Sequence, residues 1–532
     1  VDLGAQYRFL TESNSGTLNG NLLPDDQRQG EQDRSYVRVL ERSKLIANTR
    51  VDVNFENVSD TQYFEDFTQG TEATSTPFLP RSLVIAHRDD IWNLRAQLLS
   101  FQTLDTVNLI EYQRPYIELP RVTASGLWSP KPLPLLNLSF DSEIVNFTRS
   151  CDPIQLPPPG PPPPPGTPAP PKTPCSNITN SGFPLSAAVD GWRLDARPQI
   201  GLDVSGDGYF FRPSVAWDLT QYELHNANGG DTSPERSLPI VDVDTGLQFE
   251  RMTGSSEGRS MTFEPHLMYV YIPYRNQNQL PVFDTATPDL NTIELFRPNR
   301  FVGIDRIGDS NSITAGATTQ WFQNVSGTRY LSATLAEAFY LQPPLVTAPD
   351  ETVQPTSTSS TIAEINLTAY RHWNLQADVA SSPTLSRIEL AEVMTQYLAT
   401  NKQVINVGYL YRYGVLQQVD GSAAWPVSVH WDIYARAVYS LFSSPGSNTT
   451  PAVHPGSIED FAGFQFRGSC WSIRAIAQHS ISTRTGKSDT GVSFQIELTG
   501  LSNVGNGVGT GSGVNTFLEQ SIRGYSASAN KP

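Results

Sequence analysis

Charge is scarce in this chain. Asp, Glu, Lys and Arg together make up 17% of its 532 residues, where soluble proteins usually carry about 25%. Long apolar runs are missing as well. No stretch of about 18 apolar residues occurs, which excludes a transmembrane helix. A barrel strand needs only about ten residues, half of them apolar, so β-barrels stay open. Lys and Arg number 37 against 53 Asp and Glu, a net charge of −16. Nucleic acid as partner would need the opposite balance. Cysteine is reduced to 3 residues, which suits structural disulfides in an oxidising compartment or incidental thiols.

Chemistry-bearing motifs are lacking too. The 7 His are scattered, with no H-E-x-x-H and no Cys/His pair at zinc spacing. No G-x-S-x-G elbow occurs. The run Gly505-Asn506-Gly507-Val508-Gly509 fits neither a Walker loop nor a dinucleotide turn. It follows a strand pattern, no helix is expected after it, and it reads as a flexible tail. No nucleophile and base are singled out, so the expectation is a protein without catalysis, metal or cofactor. A period of about 40–50 residues, the mark of a propeller, is absent. The chain starts at Val1, without Met or signal peptide, and so reads as a mature or trimmed product.

Aromatics and two-residue alternation fill the space. The sequence holds 20 Tyr, 24 Phe and 9 Trp, the composition of a lipid-facing band with aromatic girdles. In the segment from Met261, residues Met261, Phe263, Pro265, Leu267, Tyr269 and Tyr271 share one face, and Thr262, Glu264 and His266 share the other. Val492, Phe494, Ile496 and Leu498 likewise oppose Ser493, Gln495 and Glu497. Ala363, Ile365 and Leu367 oppose Glu364 and Asn366, and Trp431, Ile433 and Ala435 oppose Asp432 and Tyr434. A charged or amide residue in mid-strand, repeated on one face, implies a wet interior, whereas a sandwich core is dry there. The period predicts that Glu264, His266, Glu364, Asn366, Gln495 and Glu497 line a lumen. Roughly two dozen strands can be placed, within the range of large outer-membrane barrels. One helical turn is allowed at Thr61 to Phe67. Long connections are expected at 273–311, 343–360 and 442–459.

Two segments break the pattern. Residues 152–174, between Cys151 and Cys175, are rich in proline. Proline lacks the backbone donor a sheet needs, so this is a polyproline-type excursion, read as a spacer in preference to a docking segment. The other is the long polar connection after Met261, with Pro273-Tyr274-Arg275 at one end and Gly303-Ile304-Asp305-Arg306-Ile307 at the other. Asp305 and Arg306 are neighbours and so would point to opposite faces of a strand. In a loop they read as structural ion-pair residues.

This central stretch resembles the barrel of the LptD family of lipopolysaccharide-assembly proteins. Further resemblance lies in Gly4-Ala5-Gln6-Tyr7-Arg8-Phe9-Leu10 with Leu22-Leu23-Pro24-Asp25-Asp26, in Asp60-Thr61-Gln62-Tyr63-Phe64-Glu65-Asp66-Phe67, in Ala424-Trp425-Pro426, in Cys470-Trp471-Ser472-Ile473-Arg474 and in the strand Phe494 to Leu498. It covers most of the chain, and the central and cysteine-bearing motifs are its specific part. The resemblance implies an all-β fold, a large transmembrane antiparallel β-barrel with about 24 of 26 strands present, filling residues 1–532. It implies an outer-membrane translocon of a Gram-negative bacterium that performs no bond chemistry. Its partners would be lipopolysaccharide, an LptE-like lipoprotein plugging the lumen, and the periplasmic Lpt bridge. That bridge would act through an N-terminal jelly-roll that, with the first strands, precedes Val1. Lipid would leave by a seam between first and last strands, whose last-strand side is Val492, Phe494, Ile496 and Leu498. Tyr63, Phe64 and Phe67 read more simply as an interfacial aromatic cluster.

The family's typical adjacent cysteine pair near the C-terminus is here Ser469-Cys470. At most one bond to the N-terminal domain is then possible. Strand counting on the family's topology puts Cys470 at a periplasmic turn and the proline-rich insert outside the cell, about 25 Å or more away. A disulfide needs Cα atoms within about 7 Å. Cys151 and Cys175 are therefore expected to pair with each other, and Cys470 to pair with a missing N-terminal cysteine or stay free. The competing reading is a general porin or TonB-type transporter. A porin would be shorter and fold a constriction loop into its lumen, and a TonB-type transporter would carry its own N-terminal plug.

Overall fold

The computed structural model describes residues 3–27, 31–67, 76–104, 115–149, 189–225, 231–253, 259–323, 327–348, 351, 356–370, 372–400, 402–444, 454–481, 488–498, 502–505 and 514–526. Twenty-six strand segments form one antiparallel sheet in which consecutive passes of the chain pair with each other. Asp190–Leu202 and Val204–Gly206 both pair with Tyr209–His225. Glu235–Leu247 and Phe249–Thr253 both pair with Arg259–Ile272. Neither interruption shifts the register, so the 26 segments make 24 passes. The sheet curves into a large barrel.

Period-2 patterning sets the two faces. In Arg259–Ile272, Phe263, Leu267 and Tyr271 are exposed on the outside, while Thr262, Met268 and Val270 are covered on the inside. Tyr209–His225 repeats this with Val215, Trp217 and Leu219 outward and Ala216, Asp218, Thr220 and Tyr222 inward. A band of exposed Leu, Ile, Val, Phe and Trp around a sheet whose other face carries Asp, Arg, Ser and Thr is a lipid-facing wall around a polar lumen. Among the described residues no helix is long and apolar enough to cross a membrane.

Connections differ at the two ends of the barrel. At one end the turns are short, as between Leu10 and Asn14, Ile46 and Thr49, and Arg467 and Trp471. The other end carries the long connections 273–309 and 341–360, and the strands Leu136–Thr148 and Asp190–Leu202 also meet it. Small glycines let passes approach closely. A Cβ on Gly16 would lie 2.4 Å from the Phe9 ring and 2.7 Å from the carbonyl oxygen of Leu40.

Two expectations need correction. Phe494–Leu498 is not the final strand: Ser502–Gly505 follows and pairs with Gln495 to Leu498. The glycine run around it hid a short strand, because glycine carries no side chain to show alternation. A helix does follow that run, at Val514–Ser521.

Candidate functional site

The connection 273–309 folds back against the inner wall, and one arginine fixes it there. Arg193 lies on the inward side of Asp190–Leu202 and is fully buried. A buried guanidinium must be paired to be tolerated. It donates to Glu143 on the adjoining strand at 2.6 Å, to Asp284 at 2.6 and 2.9 Å, and to Asp305 at 2.7 Å. Asp305, also fully buried, further accepts from the Tyr222 hydroxyl at 2.9 Å and from the backbone N–H groups of Phe283 and Asp284 at 2.7 and 2.9 Å. Both of its oxygens are thus saturated by donors from the wall and from the loop.

A second arginine, Arg236, reaches from the wall to the Asp305 carbonyl oxygen at 3.0 Å while its ion pair to Asp218 stays in the wall. Gln277 closes the loop on itself, donating to the Ile307 carbonyl at 2.7 Å and accepting from the Ile307 N–H at 3.1 Å. Arg306 turns away from Asp305's carboxylate and donates to the carbonyl oxygens of Leu280, Pro281 and Asp305 at 2.9–3.1 Å. The two neighbours are structural, but with different partners: Asp305 is bound to the wall and Arg306 to the loop backbone. Gly303 has φ +78°, and a Cβ there would lie 2.4 Å from the Asp284 carbonyl oxygen. Only glycine fits that turn. Pro273 is half-buried at the start of the connection, and Tyr274 and Arg275 are exposed, outside this buried knot.

Farther along, the loop crosses the lumen face of later strands. A single helical turn, Thr292–Leu295, is capped by Asn291, whose side chain accepts from the Glu294 N–H at 2.9 Å. Leu295 packs with Ala336, Ala338, Ile362 and Ala380. Glu364 accepts from the Thr292 N–H at 2.8 Å. The His266 ring is bonded to Asp244 and stacks on Phe296 with centroids 3.9 Å apart. Glu264 accepts from Gln320 at 3.1 and 3.2 Å. Arg300 pairs with Glu351 at 2.7 Å, and Arg412 reaches Asp289. Asn366 faces the same inner side, opposite Gln376.

Burial works against the charged form of Asp284, but the Arg193 guanidinium outweighs it and holds this carboxyl well below the usual aspartate range. A depressed carboxyl contributes stability that is complete above its unfolded pKa, about 3.9, and is lost as pH falls through the folded value. The Asp284 contact with Arg193 is therefore expected to persist at pH 4 and to be lost only in stronger acid. Hydrogen exchange of the Phe283 and Asp284 amides across pH 2–6 checks this, and release near pH 5 would refute it.

A second body occupies the short-turn half of the lumen. Leu518 and Ile522 are fully buried, and with Phe517 and Tyr525 they pack on Val404, Ala424, Tyr434, Phe461 and Ile476. The Arg523 carbonyl accepts from Gln396 and Asn406 at 2.9 and 3.0 Å. Leu518→Ala is expected to loosen this packing by about 2–5 kcal/mol. A cysteine in place of the fully buried Val404 should then react with a water-soluble thiol reagent, where it is protected behind Leu518.

The remaining expected residues separate by face. Gln495 is buried inward, and Glu497 on the same face accepts from Arg474 at 2.9 Å. Val492, Phe494, Ile496 and Leu498 are exposed outward. Cys470 is exposed in a short turn. Cys151, Cys175 and the insert 152–174 lie outside the described residues, as do Asn506 to Gly509. Tyr63, Phe64 and Phe67 form an aromatic cluster at the strand ends. Tyr63 and Phe64 are buried with Tyr36, Val58, Leu79 and Leu104, beside Arg34, which pairs with Asp26, Asp60 and Asp66 at 2.6–3.1 Å.

Residues 32–431 match the family model LptD: LPS transport system D. The chain belongs to the LptD family. Relatives named LPS-assembly protein LptD are 30% identical in Nitrosococcus oceani, over 98% of this chain and 63% of theirs, and 30% identical in Xanthomonas campestris pv. campestris, over 98% and 64%. The chain thus spans just under two thirds of the length of these LptD relatives. Among solved structures, the ferric-catecholate import receptor Fiu from K12 E. coli in its closed form aligns over 95% of this chain and 80% of its own, at 10% identity and TM-score 0.36. That likeness is too slight to carry an argument. LptD membership and the lipid-facing wall put the chain in the outer membrane of a Gram-negative bacterium, in a transport and assembly family and not an enzyme family.

Proposed function

We propose that this barrel is the membrane-spanning part of a translocon that inserts lipopolysaccharide into the outer leaflet. The family match carries the reading. The wall adds support, since a polar lumen inside an apolar band offers water to a sugar-bearing headgroup and lipid to its acyl chains where the sheet opens at a seam. In this reading an LptE-like lipoprotein fills lumen left beside the loop 273–309, and a periplasmic Lpt bridge delivers lipid through an N-terminal domain. Lipid exits laterally between the first and last strands, near the outward residues Val492, Phe494, Ile496 and Leu498. Glu264, His266, Glu364, Asn366, Gln495 and Glu497 face the aqueous side of the path.

The long-loop end, including the insert 152–174, is extracellular in this orientation, and the turn bearing Cys470 is periplasmic. Cys151 then pairs with Cys175, and Cys470 bonds an N-terminal cysteine or stays free. Alkylation mapping before and after reduction that joined Cys470 to Cys151 would refute this topology.

An inward-folded loop is also what a general porin would have, and the loop 273–309 is such a loop. Intact mass of the complex extracted in mild detergent separates the two. A one-to-one lipoprotein partner with bound lipopolysaccharide is expected, whereas a bare barrel or homotrimer that conducts ions freely would replace the translocon with a porin.

A further inference from the structure

A cleft of about 630 Å³ opens at the short-turn end of the first strands, lined by Arg42, Lys44, Arg50 and Arg88 together with turn residues such as Asn14 and Asn48. Four cations meet here in a chain with a net charge of −16. Register puts Arg42 opposite Asp52 and Lys44 opposite Arg50, while Arg50 also faces Ala86 on the next strand. Direct opposition of like charges costs a sheet stability. Asp52 offsets part of it, accepting from Arg42 at 2.6 Å and from Arg50 at 3.0 Å. That leaves the outer edges of both guanidinium groups open, with side chains 71% and 58% exposed. The side chains of Lys44 and Arg88 have no hydrogen-bond or ion-pair partner among the described residues. Glu12 is the one carboxylate in the lining.

Strand period puts these cations on the lumen side: Arg42 shares its face with the inward Arg34, Tyr36 and Arg38, and Arg50 with Asp52 and Asn54. The outward neighbours Val51 and Val53 belong to the lipid face. Unpaired cations beside a cleft of small-molecule size form an anion site, and the volume exceeds what one phosphate ion fills. Amide and hydroxyl side chains at the turns add neutral hydrogen-bonding groups suited to sugar hydroxyls.

We propose that this cleft binds the phosphorylated sugar headgroup of a glycolipid at the short-turn mouth of the lumen, with Lys44 and Arg88 as its principal phosphate contacts. The proposal rests on the lipopolysaccharide reading and names the group recognised there.

The test uses the detergent-solubilised complex, titrated with lipopolysaccharide carrying its headgroup phosphates and with the same material dephosphorylated. The wild type is expected to bind the phosphorylated form about tenfold more tightly, the value of roughly one charge-assisted contact. Lys44→Gln with Arg88→Gln should erase that preference, and Lys44→Arg with Arg88→Lys should keep it. Asp52→Asn should tighten phosphorylated binding severalfold by freeing Arg42 and Arg50, a gain that a purely structural role would not produce. Undiminished preference in the Gln variant overturns the proposal and leaves the translocon reading standing. Equally strong competition by inorganic phosphate, or by phosphatidylglycerol vesicles, in that titration also overturns it, in favour of a free-ion or a general anionic-lipid site. Failure of the wild type to bind either lipopolysaccharide form would defeat the translocon reading itself.

Discussion

Replacing Arg193 with methionine is expected to destabilise the barrel by about 3–5 kcal/mol, the usual cost of leaving a buried charge cluster without its counter-ion. Methionine fills a similar volume but leaves Glu143, Asp284 and Asp305 facing one another. Two of these carboxylates belong to the loop, so the loop should detach before the wall fails. Denaturant unfolding in detergent, followed by tryptophan fluorescence, measures the loss. Limited proteolysis between Pro273 and Asp309 reports the detachment. Adding Asp284→Asn and Asp305→Asn to the methionine variant should recover part of the stability, because the stranded charges are gone. A loss below about 1 kcal/mol, with the loop still protected, would mean that apolar contacts such as Phe283 on Phe147, with centroids 4.4 Å apart, do the docking.

The second large effect contrasts adjacent residues. Leu335 points outward and is 57% exposed. Leu335→Arg places a cation against lipid and should cost about 2–4 kcal/mol if the site is near the bilayer midplane. Its neighbour Thr334 points inward, opposite Glu364 and hydrogen-bonded to Thr318. Thr334→Lys puts the cation in the lumen beside a carboxylate and should cost no more than about 1 kcal/mol. Folding yield into lipid vesicles, read by heat-modifiable gel mobility, compares the two. Equal penalties would contradict the assignment of faces.

Much of the wall was legible in the sequence because a strand's period is two and its environment is two-sided. Phe263, Leu267 and Tyr271 against Thr262, Glu264 and His266 need no tertiary knowledge to be sorted. The single helical turn near Thr61 was legible as well, and the structure has Tyr63–Phe67. The knot around Arg193 was not. Its partners lie 50, 91 and 112 residues away, and an arginine between Trp192 and Leu194 looks like any other lumen residue. The one local sign was Gly303 beside Asp305 and Arg306, a turn glycine next to two charges. The C-terminal body was missed for a different reason. The glycine-rich run 505–509 suggested a tail, whereas Phe517 and Leu518 on the helix, and Ile522 and Tyr525 just after it, acquire a meaning only when an apolar patch on the wall is there to receive them.

The loop 273–309 ties strands as far apart as Leu136–Thr148, through Phe283 on Phe147, and Gln403–Arg412, and the C-terminal body ties Arg387–Thr400 to Trp471–Ile481. Between them these cross-braces stiffen most of the circumference. The strands these braces are seen to tie all lie from Leu136–Thr148 onward. A hoop reinforced over most of its arc does not stretch evenly. Any load on it is taken up by the unreinforced arc, so the compliance of this barrel is concentrated in the passes that precede Leu136–Thr148.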